Sequence, residues 1–238
     1  MITSSYGMKM EDNNIIICTI KSWNIQNFSL LKNKFEKISW YLINNKTELT
    51  YEEIKKVNPK YIFFPHWSWK IPKKIYDNFE CIAFHMTDLP FGRGGNPLQN
   101  LIVRGYSKTK ISAFQVTNEL DAGPIYLKKS LSLQGSAEKI LKRASKIIFN
   151  NMIPHIIKET PRPIPQKGKI VKFSRRKPKE SDISNLNDLN AIFDCIRMLD
   201  AEGYPNAFLE KNNFRIEFQN AKKTDNVIIA KAKIKIKE

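Results

Sequence analysis

Long apolar runs are missing from this chain. No stretch of about 18 apolar residues occurs, so no membrane span is expected. Met1 to Met10 has neither a basic region nor an apolar core, so no signal peptide is expected and the location is taken as cytoplasmic. Cysteine is scarce too. Cys18, Cys81 and Cys195 are odd in number, far apart and set in apolar runs, the pattern of reduced packing residues and not of disulfides or a zinc cluster, and no metal is expected. Glycine is sparse except at Gly92-Arg93-Gly94-Gly95, a segment without the spacing of a dinucleotide fingerprint, and no Walker lysine is present, so neither NAD nor ATP is implied. Acidic residues are outnumbered, 23 against 40 basic ones, for a net charge of +17. The excess is mostly lysine, spread over the chain among abundant Asn and Ile, as an A/T-rich coding sequence would also give. A polyanion and an anionic small substrate would both benefit from that field, and charge alone does not choose between them.

What is present reads as an α/β protein. With 238 residues and 42% hydrophobic content, the chain can bury one α/β domain and a small appendage. Apolar, β-branched runs at Asn14 to Ile20, Ile38 to Ile43, Tyr61 to Phe64 and Cys81 to Phe84 predict strands. Helices are expected over about Asn27 to Phe35, from Thr50 to Pro59, and over Asn96 to Val103. The alternation predicts a doubly wound, mostly parallel sheet. Strands are expected at Ile111 to Val116 and Ile125 to Leu127. One long amphipathic helix should span Ser136 to Lys158, with Ser136 as N-cap and His155 a structural residue on its apolar face. A main domain over 1–160 would then give way to a proline-rich, basic connector over 161–180. A small C-terminal α+β module over 181–238 would follow, with a helix at Leu189 to Leu199 and strands at Ala207 to Leu209, Phe214 to Phe218 and Val227 to Ile236. The last strand alternates lysine with small or apolar residues, as a charge-guarded edge strand does.

Chemistry concentrates between Cys81 and Asp121. The strand from Cys81 delivers His85 to its carboxyl end, where open α/β sheets hold ligands, and the chain turns at Asp88-Leu89-Pro90 into the glycine-rich segment. Upstream, Pro65-His66-Trp67-Ser68-Trp69 is a stiff aromatic loop at another strand's end, suited either to a flat heteroaromatic ligand or to capping the core. Asn24, in the turn after the first strand, is open between capping a helix and meeting a ligand.

His85, Leu89-Pro90, Arg93-Gly94, Pro97 and Leu120-Asp121-Ala122-Gly123 together resemble the folate-dependent formyltransferases, the methionyl-tRNA and nucleotide-sugar N-formyltransferases. Weaker likeness extends through Ser174 to Pro178 to Tyr204-Pro205. The resemblance implies N10-formyltetrahydrofolate as formyl donor, His85 and Asp121 as catalytic residues, and a cofactor site drawn from His66, Trp67, Ser68, Trp69, Leu89 and Asp121. It implies a substrate site at Thr87, Arg93, Gly94 and Gly95, although Arg93 could equally tie the loop down. One departure stands out. Members carry Asn two residues before the histidine, and Ala83 stands there. Three explanations stand open: an oxyanion donor comes from protonated His85, His66, Thr87 or Asn96, with Asn96 slightly preferred; the reaction is slow; or the fold is reused for binding.

Members acting on tRNA carry a sizeable C-terminal barrel, and only about 30 residues follow Phe208. The expected substrate is therefore a nucleotide-linked amino sugar, of the pseudaminic-acid or a related surface-sugar pathway, with no nucleic-acid or membrane partner. The C-terminal module would hold the base or build a homodimer. Transfer to methionyl-tRNA or another amine, and a non-catalytic folate- or nucleotide-binding role, are the alternatives.

Overall fold

The computed structural model describes residues 13–237, so the expectation for Met1 to Met10 lies outside it. Two compact units divide the chain after Ala83. In the first, β1 (Asn14–Cys18), α1 (Ser22–Lys34), β2 (Ser39–Ile43), α2 (Tyr51–Val57), β3 (Tyr61–Phe64), α3 (Lys73–Tyr76) and the start of β4 (Cys81–His85) alternate as the pattern predicts. The strands are parallel in the order β2-β1-β3-β4, with Ile15 opposite Trp40 and Tyr61, and Ile62 opposite Cys81. Ile16, Ile17, Ile62, Phe63 and Ile82 are at most 1% exposed, which is why β1 and β3 read as unbroken apolar runs. Helix α1 starts at Ser22, five residues before the expected Asn27, because Trp23 and Asn24 are buried on its first turn. Thr50, where the helix was expected to start, caps α2, its Oγ1 accepting from the Glu53 N–H at 3.3 Å.

In the second unit, β4 ends at His85, and β5 (Phe91–Gly94), α4 (Pro97–Ile102), β6 (Lys108–Gln115) and β7 (Ile125–Ser132) follow. Strands β6 and β7 form an antiparallel hairpin with Ala113 opposite Leu127. The helix expected from Ser136 is interrupted. α5 (Ala137–Ile147) and α6 (Ile153–Glu159) flank a π turn over Ile148–Met152. Pro154 lacks the N–H that an unbroken α ladder would need there. His155, placed by its sequence on an apolar face, is exposed.

The connector is not a loose spacer. Val171–Phe173 forms β8, which runs parallel to β5, and Ile164 exchanges two backbone hydrogen bonds with Ile125. Then α7 (Leu189–Leu199) packs against a three-stranded antiparallel sheet of β9 (Ala207–Lys211), β10 (Phe214–Lys223) and β11 (Ile228–Ile236), in the order β11-β10-β9. Arg215 lies over the Phe208 ring and between Glu210 and Glu217. Among the described residues, no helix is long and apolar enough to cross a membrane. All three cysteines are free and buried, and burial pushes the Cys195 thiol up to about 11.

Candidate active site

Parallel pairing carries β4 to its carboxyl end, where His85 is 8% exposed. Its Nε2 lies 2.8 Å from the Gly92 carbonyl oxygen. A carbonyl only accepts, so Nε2 donates and the neutral ring keeps its basic lone pair on Nδ1. That nitrogen faces Asp121 Oδ2 at 3.6 Å. The same Oδ2 accepts the Gly94 N–H at 2.9 Å, which fixes the carboxylate. Asp121 sits in the turn between β6 and β7 with a left-handed φ of 53°. Two residues on, Gly123 has no room for a side chain, because a Cβ there would meet the Gln115 carbonyl oxygen at 1.8 Å.

The glycine-rich loop owes its composition to the connector. A Cβ on Gly94 would lie 2.5 Å from the Phe173 carbonyl oxygen, and one on Gly95 would lie 2.9 Å from the Arg175 backbone. The Gly95 N–H donates to the Phe173 oxygen. Gly94 and Gly95, expected to bind substrate, spend their backbone N–H groups on Asp121 and Phe173. Thr87, also expected there, is fully buried, with its hydroxyl 3.5 Å from the Gly92 oxygen and its carbonyl accepting from Ser112 Oγ.

Arg93 is 7% exposed. Its Nε and Nη2 donate to Gln166 Oε1 at 3.1 and 2.8 Å, and Nη1 reaches Glu119 at 3.2 Å. These bonds tie the loop to Gln166 and Glu119. Leu89 is buried, its N–H donating to Ser112 Oγ and its carbonyl accepting from Lys128 Nζ. Neighbouring Asp88 pairs with Lys128 and Lys110. Burial opposes its ionisation, but the two ammonium groups outweigh that and hold the carboxyl below its usual range. Asn96 has a left-handed φ of 48°, and its Oδ1 accepts the Arg176 N–H at 2.9 Å.

The first unit builds the aromatic loop on its own terms. Asn24 is fully buried and does not cap α1. Its Nδ2 reaches Thr19 Oγ1 at 2.7 Å and the Pro65 oxygen at 3.2 Å, and lies 3.1 Å from His66 Nδ1, so it pins the loop instead. Burial, with the Lys21 ammonium, pulls the His66 ring down to about 4, so it is neutral at physiological pH. Trp67 packs edge-on against Trp69 at 4.9 Å and against Phe64 at 6.1 Å, while Ser68 is exposed. His66 Nε2 and Trp67 Nε1 are buried without a hydrogen-bond partner. Such orphaned polar atoms beside flat rings fit a heteroaromatic ligand with hydrogen-bonding edges, as a pteridine has. Ala83, opposite Phe64 in the β3–β4 register, offers no side-chain donor.

Sequence reasoning missed Gln166, Ser112 and Gly92. Gln166 lay in a stretch read as connector, and nothing in its residue type separated it from neighbouring polar positions.

Comparison with known proteins adds two matching family descriptions. "Formyl transferase" matches residues 24–147, and "Methionyl-tRNA formyltransferase, C-terminal domain" matches residues 178–235. A solved structure of a methionyl-tRNA formyltransferase from Clostridium thermocellum is 54% identical, with a TM-score of 0.92 over 94% of this chain and 99% of that one. The methionyl-tRNA formyltransferase of Mesoplasma florum is 31% identical over 78% of this chain and 61% of its own length. The chain thus spans about three fifths of that curated relative. A sugar N-formyltransferase from Shewanella reaches a TM-score of 0.69 at 14% identity, covering 89% of this chain and 98% of that one, which shows the fold alone.

These findings overturn the expectation of a nucleotide-linked amino sugar and a carbohydrate pathway. That expectation rested on the short C-terminal module, and it is this stretch that the C-terminal-domain description matches. The exclusion of nucleic acid as a partner rested on the same inference and falls with it.

Proposed function

The chain belongs to the formyltransferase family, whose formyl donor is N10-formyltetrahydrofolate, and on that premise we propose that it formylates the amino group of methionyl-tRNA. The observation that carries this reading is the 54% identity to the Clostridium thermocellum enzyme over 99% of that chain, C-terminal module included. The donor, when bound, would supply the formyl carbon to which the amine nitrogen bonds as the bond to N10 breaks, with the proton lost by the amine passing to N10. The loop of His66, Trp67, Ser68 and Trp69 would hold its flat ring.

His85 takes the amine proton on Nδ1, because Nε2 is already committed to Gly92. Asp121 then faces the imidazolium that forms and stabilises it, and the Gly94 N–H keeps that carboxylate in place. Asn96 is the donor assigned to the charge developing on the formyl oxygen. The Arg176 N–H holds its side-chain oxygen, so its NH2 group is the end that could donate to that charge. A polyanionic substrate also accounts for the +17 charge and for the exposed Lys231 and Lys233 on β11.

The test is release of tetrahydrofolate in the presence of methionyl-tRNA. Turnover that His85→Ala lowers by at least about a hundredfold supports the reading. Donor binding without turnover on methionyl-tRNA rejects it.

A further inference from the structure

Asp121 acts only if its turn holds a shape that an aspartate does not adopt by preference, since its φ of 53° lies in the left-handed region. Within the second unit one side chain clamps that turn. Gln166 Nε2 donates to the carbonyl oxygens of both Asp121 and Gly123, each at 2.9 Å. The orientation of this amide is not arbitrary. Arg93 presents donors alone, so the group facing its Nε and Nη2 must be the Gln166 oxygen, and the NH2 group therefore faces the two carbonyls. Two residues earlier, Ile164 is bonded in both directions to Ile125, the start of β7, which sets Gln166 at this height on the turn.

We propose that Gln166, oriented by Arg93, is a positioning residue of the reaction: it holds the Asp121 turn so that Oδ2 faces His85 Nδ1. The side chain of Gln166 bonds to Arg93, Asp121 and Gly123. It acts through the backbone of Asp121, and its own place depends on a buried arginine that the resemblance assigned to substrate. The path runs from Arg93 to the Gln166 amide, to the turn carbonyls, to the Asp121 carboxylate and to the histidine. The kinetic half of the test rests on the formyltransferase reading above. The structural half does not.

Gln166→Glu separates positioning from simple neutralisation of Arg93, because glutamate is a better partner for the guanidinium and has no N–H to offer the carbonyls. The Gly94 amide reports directly on the carboxylate that accepts it, so its hydrogen exchange is followed by NMR in the wild type, Gln166→Glu, Gln166→Met and Asp121→Ala. Positioning predicts that both Gln166 variants exchange Gly94 at rates approaching that of Asp121→Ala, while other amides of β6 and β7 keep wild-type protection. With methionyl-tRNA, kcat should fall by roughly ten- to a hundredfold with KM for either reactant within about twofold. Wild-type exchange at Gly94 in Gln166→Glu overturns the proposal, as does a loss carried by KM alone. If the wild type itself shows no turnover on methionyl-tRNA, the functional reading falls and the Gly94 exchange still decides whether Gln166 holds the turn.

Discussion

At the scale of single residues, the His85 and Asp121 pair makes the clearest prediction. Asp121→Asn keeps the size of the side chain and removes the charge that faces Nδ1. Its kcat on methionyl-tRNA is expected to fall by at least about a hundredfold with an unchanged unfolding midpoint, and near-normal turnover would remove Asp121 from the chemistry. His66 makes a prediction about pH. Above its ordinary value of 6.5 the ring is neutral whether the chain is folded or not, and it costs nothing. As the pH falls toward 4, the unfolded chain takes up a proton that the buried ring refuses. Stability should then drop by about 1.4 kcal/mol per pH unit from this group, on the order of 3 kcal/mol across the window. Urea unfolding between pH 7 and pH 4 should show that slope in the wild type and a shallower one in His66→Asn, which tolerates the left-handed φ of 53°. Equal slopes would show that the ring is not buried in its neutral form. The glycine-rich motif and the terminal Leu-Asp-Ala-Gly singled out His85, Gly94 and Asp121, which the fold brings together. Ser112 and Gln166 were not legible in the sequence, because each matters through a partner more than twenty positions away, and residue type does not announce such a partner.

At the scale of elements, legibility followed burial. β1 and β3 are covered on both faces and read directly as apolar runs, whereas the three-residue β8 exists only because β5 offers it an edge. No local pattern could show β8. The same dependence holds for the segment Gly92 to Gly95, whose glycines clear space for Phe173 and Arg175. α5 and α6 read as one helix because periodicity passes through Pro154, and the π turn appears only when the missing N–H is considered. Close approach within the β6–β7 turn can be tested. Gly123→Ala forces a Cβ toward the Gln115 oxygen and should cost about 1–3 kcal/mol by overpacking, read as a lower urea midpoint. An unchanged midpoint would mean that the hairpin opens without cost.

At the scale of the whole molecule, the proposed tRNA substrate would give a partner to the charge that chose none in the sequence. Lys235 on β11 pairs with Glu217, and Lys237, just past the strand, pairs with Glu210; the first of these pairs holds the Glu217 carboxyl below its ordinary range. Lys231 and Lys233 are exposed on the same strand. Replacing both with Gln should weaken tRNA binding and reduce the slope of log K against log salt by about one for each phosphate that is no longer neutralised, with kcat at saturation unchanged. A slope equal to that of the wild type would place the RNA elsewhere.

The Gly92 carbonyl that holds His85 Nε2 has one more effect. With one nitrogen closed, the ring has a single door: the proton taken from the amine enters at Nδ1 and must leave by that edge before the next cycle begins. The N10 nitrogen that leaves as the new bond forms needs the proton that the amine gives up, so the base is restored across that same edge within one turnover. Added small buffers should therefore leave the first cycle and the repeated ones alike unchanged.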